Sequence, residues 1–158
     1  MKNVLIALDY DPTAQQVAEK GYELAKSMGA RVTLVHVLSN EIYYYSRAYS
    51  PIMGFEGFVS GNSAEAAQND YLKEAAYRYL EDTTKFLGDE EIVTLVKEGD
   101  FAEMILATAD SIAADTIVIG SHSRRWLEKI VMGSVTEKVL KLTQIPLYII
   151  PTRSVKAK

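Results

Sequence analysis

The sequence predicts an α/β domain with an open parallel sheet and helices on both faces. Short runs of β-branched and aliphatic residues alternate with segments of helical spacing, the pattern of repeated strand–helix–strand units. Several of these runs are apolar almost throughout, as strands buried on both faces must be. Parallel neighbours need right-handed crossovers, and these carry the intervening helices to either side of the sheet.

Five runs predict strands: Asn3–Asp9, Arg31–Val37, Glu91–Lys97, Asp115–Gly120 and Ile145–Pro151. Between the first two, Ala14, Val17, Ala18, Gly21, Leu24, Ala25 and Met28 recur on one helical face. Asp11 before Pro12 reads as an N-cap followed by proline at the first helical position, and Gly29 as the C-cap. A second helix follows from Leu72, Ala76, Tyr79, Leu80, Thr83 and Leu87, and a third from Ala102, Ile105, Leu106, Ala109, Ile112 and Ala113. A short fourth is expected from about Val135 to Leu142. Asn62, Asp100 and Ser134 each precede a glutamate by three positions, as a capping box requires. Residues 38–61 break the pattern. They hold four tyrosines, two phenylalanines and three glycines, and read as a loop insertion that is a lid, a partner contact or a cover for apolar surface. The domain is expected to span 1–152, with a frayed tail over Arg153–Lys158.

At 158 residues the chain suits one domain with a sizeable core. Its 17 Lys and Arg against 21 Asp and Glu give a net charge of −4, which argues against a nucleic-acid partner. The absence of cysteine excludes disulfides, thiolate catalysis and Cys-ligated metal centres, and two histidines are too few for a His-rich metal site. No run reaches the roughly 18 apolar residues of a membrane span, and the apolar start stops at Asp9 without a cleavage signal. A cytoplasmic location with no membrane partner is the expectation.

In such a sheet, ligands bind beyond the carboxyl ends of the strands, where strand order reverses. The fourth run ends in Gly120-Ser121-His122-Ser123, and Gly133-Ser134-Val135-Thr136 opens the last helix. This is a phosphate cradle in chemical terms. Gly120 and Gly133 let backbone amides approach a ligand, and the helix N-terminus attracts an anion. Ser123, Ser134 and Thr136 offer hydroxyls, and Arg124 a permanent charge. Ser134 has a purely structural alternative as a helix cap, and Asp9 as an acceptor for the Asp11–Thr13 turn. His36 reads as a hydrogen-bonded core residue. No base or nucleophile pairs with His122, so no catalytic residue is assigned and turnover is expected to be slow at most. Neither a P-loop motif nor GxGxxG is present.

The motif GSHS, nine residues, then GSVTEKVL resembles the nucleotide-binding branch of the universal stress protein family, with Ser123 where that branch carries its second glycine. NVLIALDYDPTA, LVHV and IPLYII extend the resemblance over nearly the whole chain. The resemblance implies a five-stranded Rossmann-like domain of order 3-2-1-4-5 that binds ATP with Mg²⁺ or Mn²⁺. It also implies a homodimer through the strand at 145–151. Ala7, Leu8 and Asp9 would then line the adenosine end, Asp9 near ribose or metal, and Val37 would meet adenine through its backbone. Gly120, His122, Ser123, Arg124, Gly133, Ser134, Val135 and Thr136 would hold ribose and phosphates. The function expected is a regulatory, stress-response binding module. The alternative is an interaction protein of the same family that dimerises but binds no nucleotide.

Overall fold

The computed structural model describes residues 1–38, 62–121 and 133–152. The calls on the rest of the tyrosine-rich loop, on His122, Ser123 and Arg124, and on the tail lie outside the described residues. The elements are β1 (Asn3–Ala7), α1 (Ala14–Met28), β2 (Arg31–Leu38), α2 (Asn62–Leu87), β3 (Val93–Glu98), α3 (Phe101–Ser111), β4 (Thr116–Gly120), α4 (Ser134–Leu142) and β5 (Leu147–Ile150). The strands form one sheet in the order β3-β2-β1-β4-β5. Every pairing is parallel, with Ile6 opposite both Leu34 of β2 and Val118 of β4.

Alternation along the strands divides the core into two layers. Val4, Ile6, Leu34 and Val118 pack with Val17, Ala18 and Ala25 of α1 and Leu80 of α2. Leu5, Val35, Val37, Ile117 and Ile119 pack on the other face with Ala102, Ile105 and Ala109 of α3 and Val139 of α4. Both faces of the central strands are thereby removed from water, which is why their sequences are continuously apolar. α1 approaches the sheet closely at Gly21, where a Cβ would come within 2.8 Å of Ile6 Cδ1 and 3.0 Å of Val118 Cγ1. Asp89, just past α2, accepts from Tyr22 Oη at 2.9 Å and pairs with Lys26 Nζ at 3.0 Å, tying that turn to α1. The Glu91 N–H and these two partners hold its carboxyl below the ordinary range.

Two caps follow the sequence. Gly29 ends α1 in the left-handed region at φ 63°, a conformation open to glycine at little cost. Asp100 caps α3, its carboxylate accepting the Glu103 N–H at 3.1 Å and pairing with Lys138 of α4. Three other helix starts differ from it. The N-cap of α1 is Thr13, because Asp11 instead uses its carboxylate on the Thr13 N–H and hydroxyl, making a separate turn first. The N-cap of α4 is Gly133, with Ser134 already helical and no side-chain capping bond. α2 begins at Asn62 itself, so that residue is inside the helix rather than flanking it. The strands are also shorter than their apolar runs. β1 stops at Ala7 because the chain turns at Asp9, and β5 lies between Pro146 and Pro151, which lack donors for a ladder.

Candidate functional site

β1, β2 and β3 extend the sheet in one direction, and β4 returns to the other side of β1. The switch point therefore lies between the carboxyl ends of β1 and β4, where open parallel sheets place ligands. The two sides of this crevice are the Ala7–Asp9 end of β1 and the Gly120–Ser121 end of β4.

On the β4 side, three bonds fix the start of α4. Gly133 N–H donates to the Ser121 carbonyl at 3.1 Å, and Thr136 Oγ1 donates to the Gly120 carbonyl at 2.8 Å. Ser121 N–H in turn donates to the Ile150 carbonyl at 2.9 Å. The first helical bond of α4 runs from Glu137 N–H to the Gly133 carbonyl, so the amides of Ser134, Val135 and Thr136 have no acceptor within the helix. Gly133 is buried and Ser134 exposed, with Val135 half-buried. The Thr136 hydroxyl is spent on Gly120, so its backbone amide is the group free to meet an anion. Ser134 is the first residue of α4 and Gly133 stands at the cap position. The cap role read for Ser134 from the sequence therefore falls to Gly133.

On the β1 side, Asp9 is half-buried and its Oδ1 accepts the Asp11 N–H at 2.9 Å. That contact fulfils the turn-acceptor role read from the sequence and leaves Oδ2 for a cation or a hydroxyl. Among the described residues no group of three or more carboxylates and histidines is placed to hold a metal ion. A divalent cation at Asp9 therefore needs the phosphates of a ligand to complete its oxygen shell, as Mg²⁺ commonly does. Leu8 is buried, its N–H bound to the Val35 carbonyl at 2.9 Å. Ala7 is half-buried and Val37 buried, both in the α3–α4 layer.

An aromatic cluster behind Asp9 was not legible as a unit in the sequence. His36 is buried, and its Nδ1 lies 2.8 Å from the Leu8 carbonyl, which requires the proton on Nδ1. The Tyr10 ring lies 4.2 Å from that of His36 and 5.1 Å from that of Tyr79. Tyr79 reaches from α2 to donate to the Asp9 carbonyl at 2.7 Å. Residue 36 lies on β2, residue 79 on α2 and residue 10 in the turn after β1, so no local spacing connects them. Tyr79 also lines a groove of about 310 Å³ along α2, with Tyr71, Glu74, Ala75, Arg78 and Asp82. Burial, then the charges of Asp9, Tyr10 and Asp11, push the Tyr79 phenol up to about 12 from an ordinary 10.0.

The raised phenol makes a pH prediction. The unfolded chain releases this proton near pH 10 and the folded one near 12, so the stabilisation is complete below 10 and is lost as pH rises towards 12. Tyr79→Phe gives up the bond to Asp9, costing about 1 kcal/mol at neutral pH. Urea midpoints at about pH 8 and about pH 11 are expected to show wild type losing its advantage over the variant at the higher value. An advantage that is constant with pH would mean that the phenol is not buried in this way.

Comparison with known proteins agrees with this architecture. The sequence profile of the Universal stress protein family matches residues 1–151. The chain is 28% identical over 159 residues to Universal stress protein MJ0577 of Methanocaldococcus jannaschii, covering 97% of this chain and 96% of that one. It is 24% identical over 152 residues to Universal stress protein A of Escherichia coli, with 96% and 95% covered. The solved structure of MJ0577 superposes with a TM-score of 0.74 at 23% identity over 97% of each chain. A universal stress protein in complex with cAMP gives a TM-score of 0.63 at 16% identity, over 96% of this chain and 98% of that one. With its sheet order and a profile match over residues 1–151, this chain belongs to the universal stress protein family.

Proposed function

We propose that this protein binds ATP, with Mg²⁺ or Mn²⁺, in the crevice between β1 and β4 and acts as a regulatory binding module with little or no turnover. The observation that carries the reading is the start of α4. A buried glycine caps the helix, and its first three amides, those of Ser134, Val135 and Thr136, have no acceptor within the helix; on this reading they would stand across the crevice from the Asp9 carboxylate. Helix amides and dipole favour an anion there, and Asp9 disfavours one unless a cation intervenes, so a metal-bound phosphate chain suits both sides. Ser134, Val135 and Thr136 would take phosphate, and Gly120 the ribose side. Ala7, Leu8 and Val37 would line the base, with Asp9 on ribose or metal. His122, Ser123 and Arg124 belong to the same reading through their sequence positions. The complex of a relative with cAMP supports a nucleotide as the ligand class.

The test is thermal melting with and without ATP and Mg²⁺, after stripping co-purified nucleotide. A ligand at about 100 times its dissociation constant stabilises the fold by about 2.7 kcal/mol, a shift of several degrees. A shift with ATP that shrinks with AMP is the expected result. No shift at millimolar ATP would transfer the argument to the second reading, a family member that associates without nucleotide. The edge of the sheet favours association in either case. Among the described residues β5 has a neighbour on one side only, and Tyr148 on it is exposed. A homodimer through β5 is expected in sedimentation at micromolar concentration, and a monomer would refute it.

A further inference from the structure

β1 ends at Ala7, and the Leu8 N–H still donates to the Val35 carbonyl at 2.9 Å. Beyond that bond, side chains hold the chain in place. His36 of β2 donates from Nδ1 to the Leu8 carbonyl at 2.8 Å, and Tyr79 of α2 donates to the Asp9 carbonyl at 2.7 Å. Two successive carbonyls are thus held from two different elements, by rings that stand 5.9 Å apart, edge to face. Two residues further on, the Asp11 N–H donates to Asp9 Oδ1 at 2.9 Å. The bond from Tyr79 therefore fixes the peptide at the head of the turn whose far end orients the Asp9 carboxylate.

Packing accounts for the Tyr79 ring, which lies against the layer of α1 and α2, and phenylalanine would serve there as well. The hydroxyl is a different matter. A carboxylate oxygen makes the stronger bond to a phenol, and the charge of Asp9 is near enough to act on this one. Tyr79 nevertheless takes the main-chain carbonyl, and Asp9 Oδ2 accepts no hydrogen bond among the described residues. The phenol steadies Asp9 without using its negative oxygens. We infer that Tyr79 is a positioning residue of the candidate site, which holds the Asp9 carboxylate, through the Asp9 carbonyl, ready to meet the divalent cation of a metal-bound phosphate chain. The inference rests on the nucleotide reading above and narrows it, since Asp9 then serves the metal rather than the ribose.

The experiment titrates wild type, Tyr79→Phe and Asp9→Asn with ATP in excess Mg²⁺ and with ATP in EDTA, alongside melting without ligand. Tyr79→Phe is expected to bind MgATP about tenfold more weakly than wild type and metal-free ATP as wild type does. Asp9→Asn, which keeps an oxygen for the Asp11 N–H, is expected to lose at least as much with the metal and nothing without it. Both variants are expected to melt within a few degrees of wild type. A purely structural bond would weaken the two forms of ATP alike or leave both unchanged, and either result for Tyr79→Phe would overturn the inference. A loss of MgATP in Tyr79→Phe that Asp9→Asn does not share would refute the route through the carboxylate. Wild type that binds ATP equally with and without Mg²⁺ would also refute it, and would leave the nucleotide reading standing with Asp9 on the ribose. Wild type that binds neither form would defeat the nucleotide reading itself, a result separable from the others because it precedes any substitution.

Discussion

Gly133→Val is expected to abolish ATP binding, by at least about 100-fold, while the protein without nucleotide melts within a few degrees of wild type. Gly133 caps α4 at φ −55° and ψ 147°, an extended conformation that valine adopts without strain. Its N–H bond to the Ser121 carbonyl is also open to any residue but proline. What valine adds is a branched Cβ beside the amides of Ser134, Val135 and Thr136, where a phosphate must approach to about 3 Å. Because Gly133 is buried, Gly133→Ala serves as the milder variant, with a smaller loss expected in the same direction. Titration with MgATP alongside circular dichroism checks both halves of the expectation. Retained affinity in the valine variant would remove α4 from the site.

The largest effect on stability is expected at Gly21. A Cβ there meets Ile6 Cδ1 at 2.8 Å and Val118 Cγ1 at 3.0 Å, and both side chains are fully buried. Alanine at this position gains about 1 kcal/mol of helix propensity, which offsets part of the cost of moving the Ile6 terminal methyl. Valine has two further methyl groups and no such offset. Gly21→Val should therefore destabilise by about 3 kcal/mol, lowering the melting temperature by about 10 °C, with Gly21→Ala closer to wild type. A denaturant midpoint that falls with an unchanged slope would confirm a native-state packing effect. An unchanged midpoint would mean that α1 can lift from β1 and β4 without loss, contrary to the packing described.

Much of the site was legible in the sequence because its chemistry is carried by short segments. Gly133 through Thr136 read as a helix start, and α4 begins at Ser134 with Gly133 as its cap. Asp9 read as a carboxylate at a strand end, as found. Capping was read less well. Asp11 and Ser134 have side chains suited to a cap, but Asp11 is drawn into its own turn and Gly133 takes the cap of α4. Local chemistry permits both outcomes at such positions, and the path of the incoming chain selects between them.

The sequence by itself determined the class of fold, since strands buried on both faces must be continuously apolar and their helices must alternate with them. Through the spacing from Gly120 to Gly133 it also pointed to the family. Tertiary structure alone decided which groups are committed to bonds within the fold. Thr136 turns its hydroxyl to Gly120, 16 residues away, and Tyr79 reaches Asp9 across 70. Thr152 comes to lie on Gly120 only because β5 pairs with β4. Such partnerships depend on sheet order and register, which bring distant residues together at no spacing that the chain records.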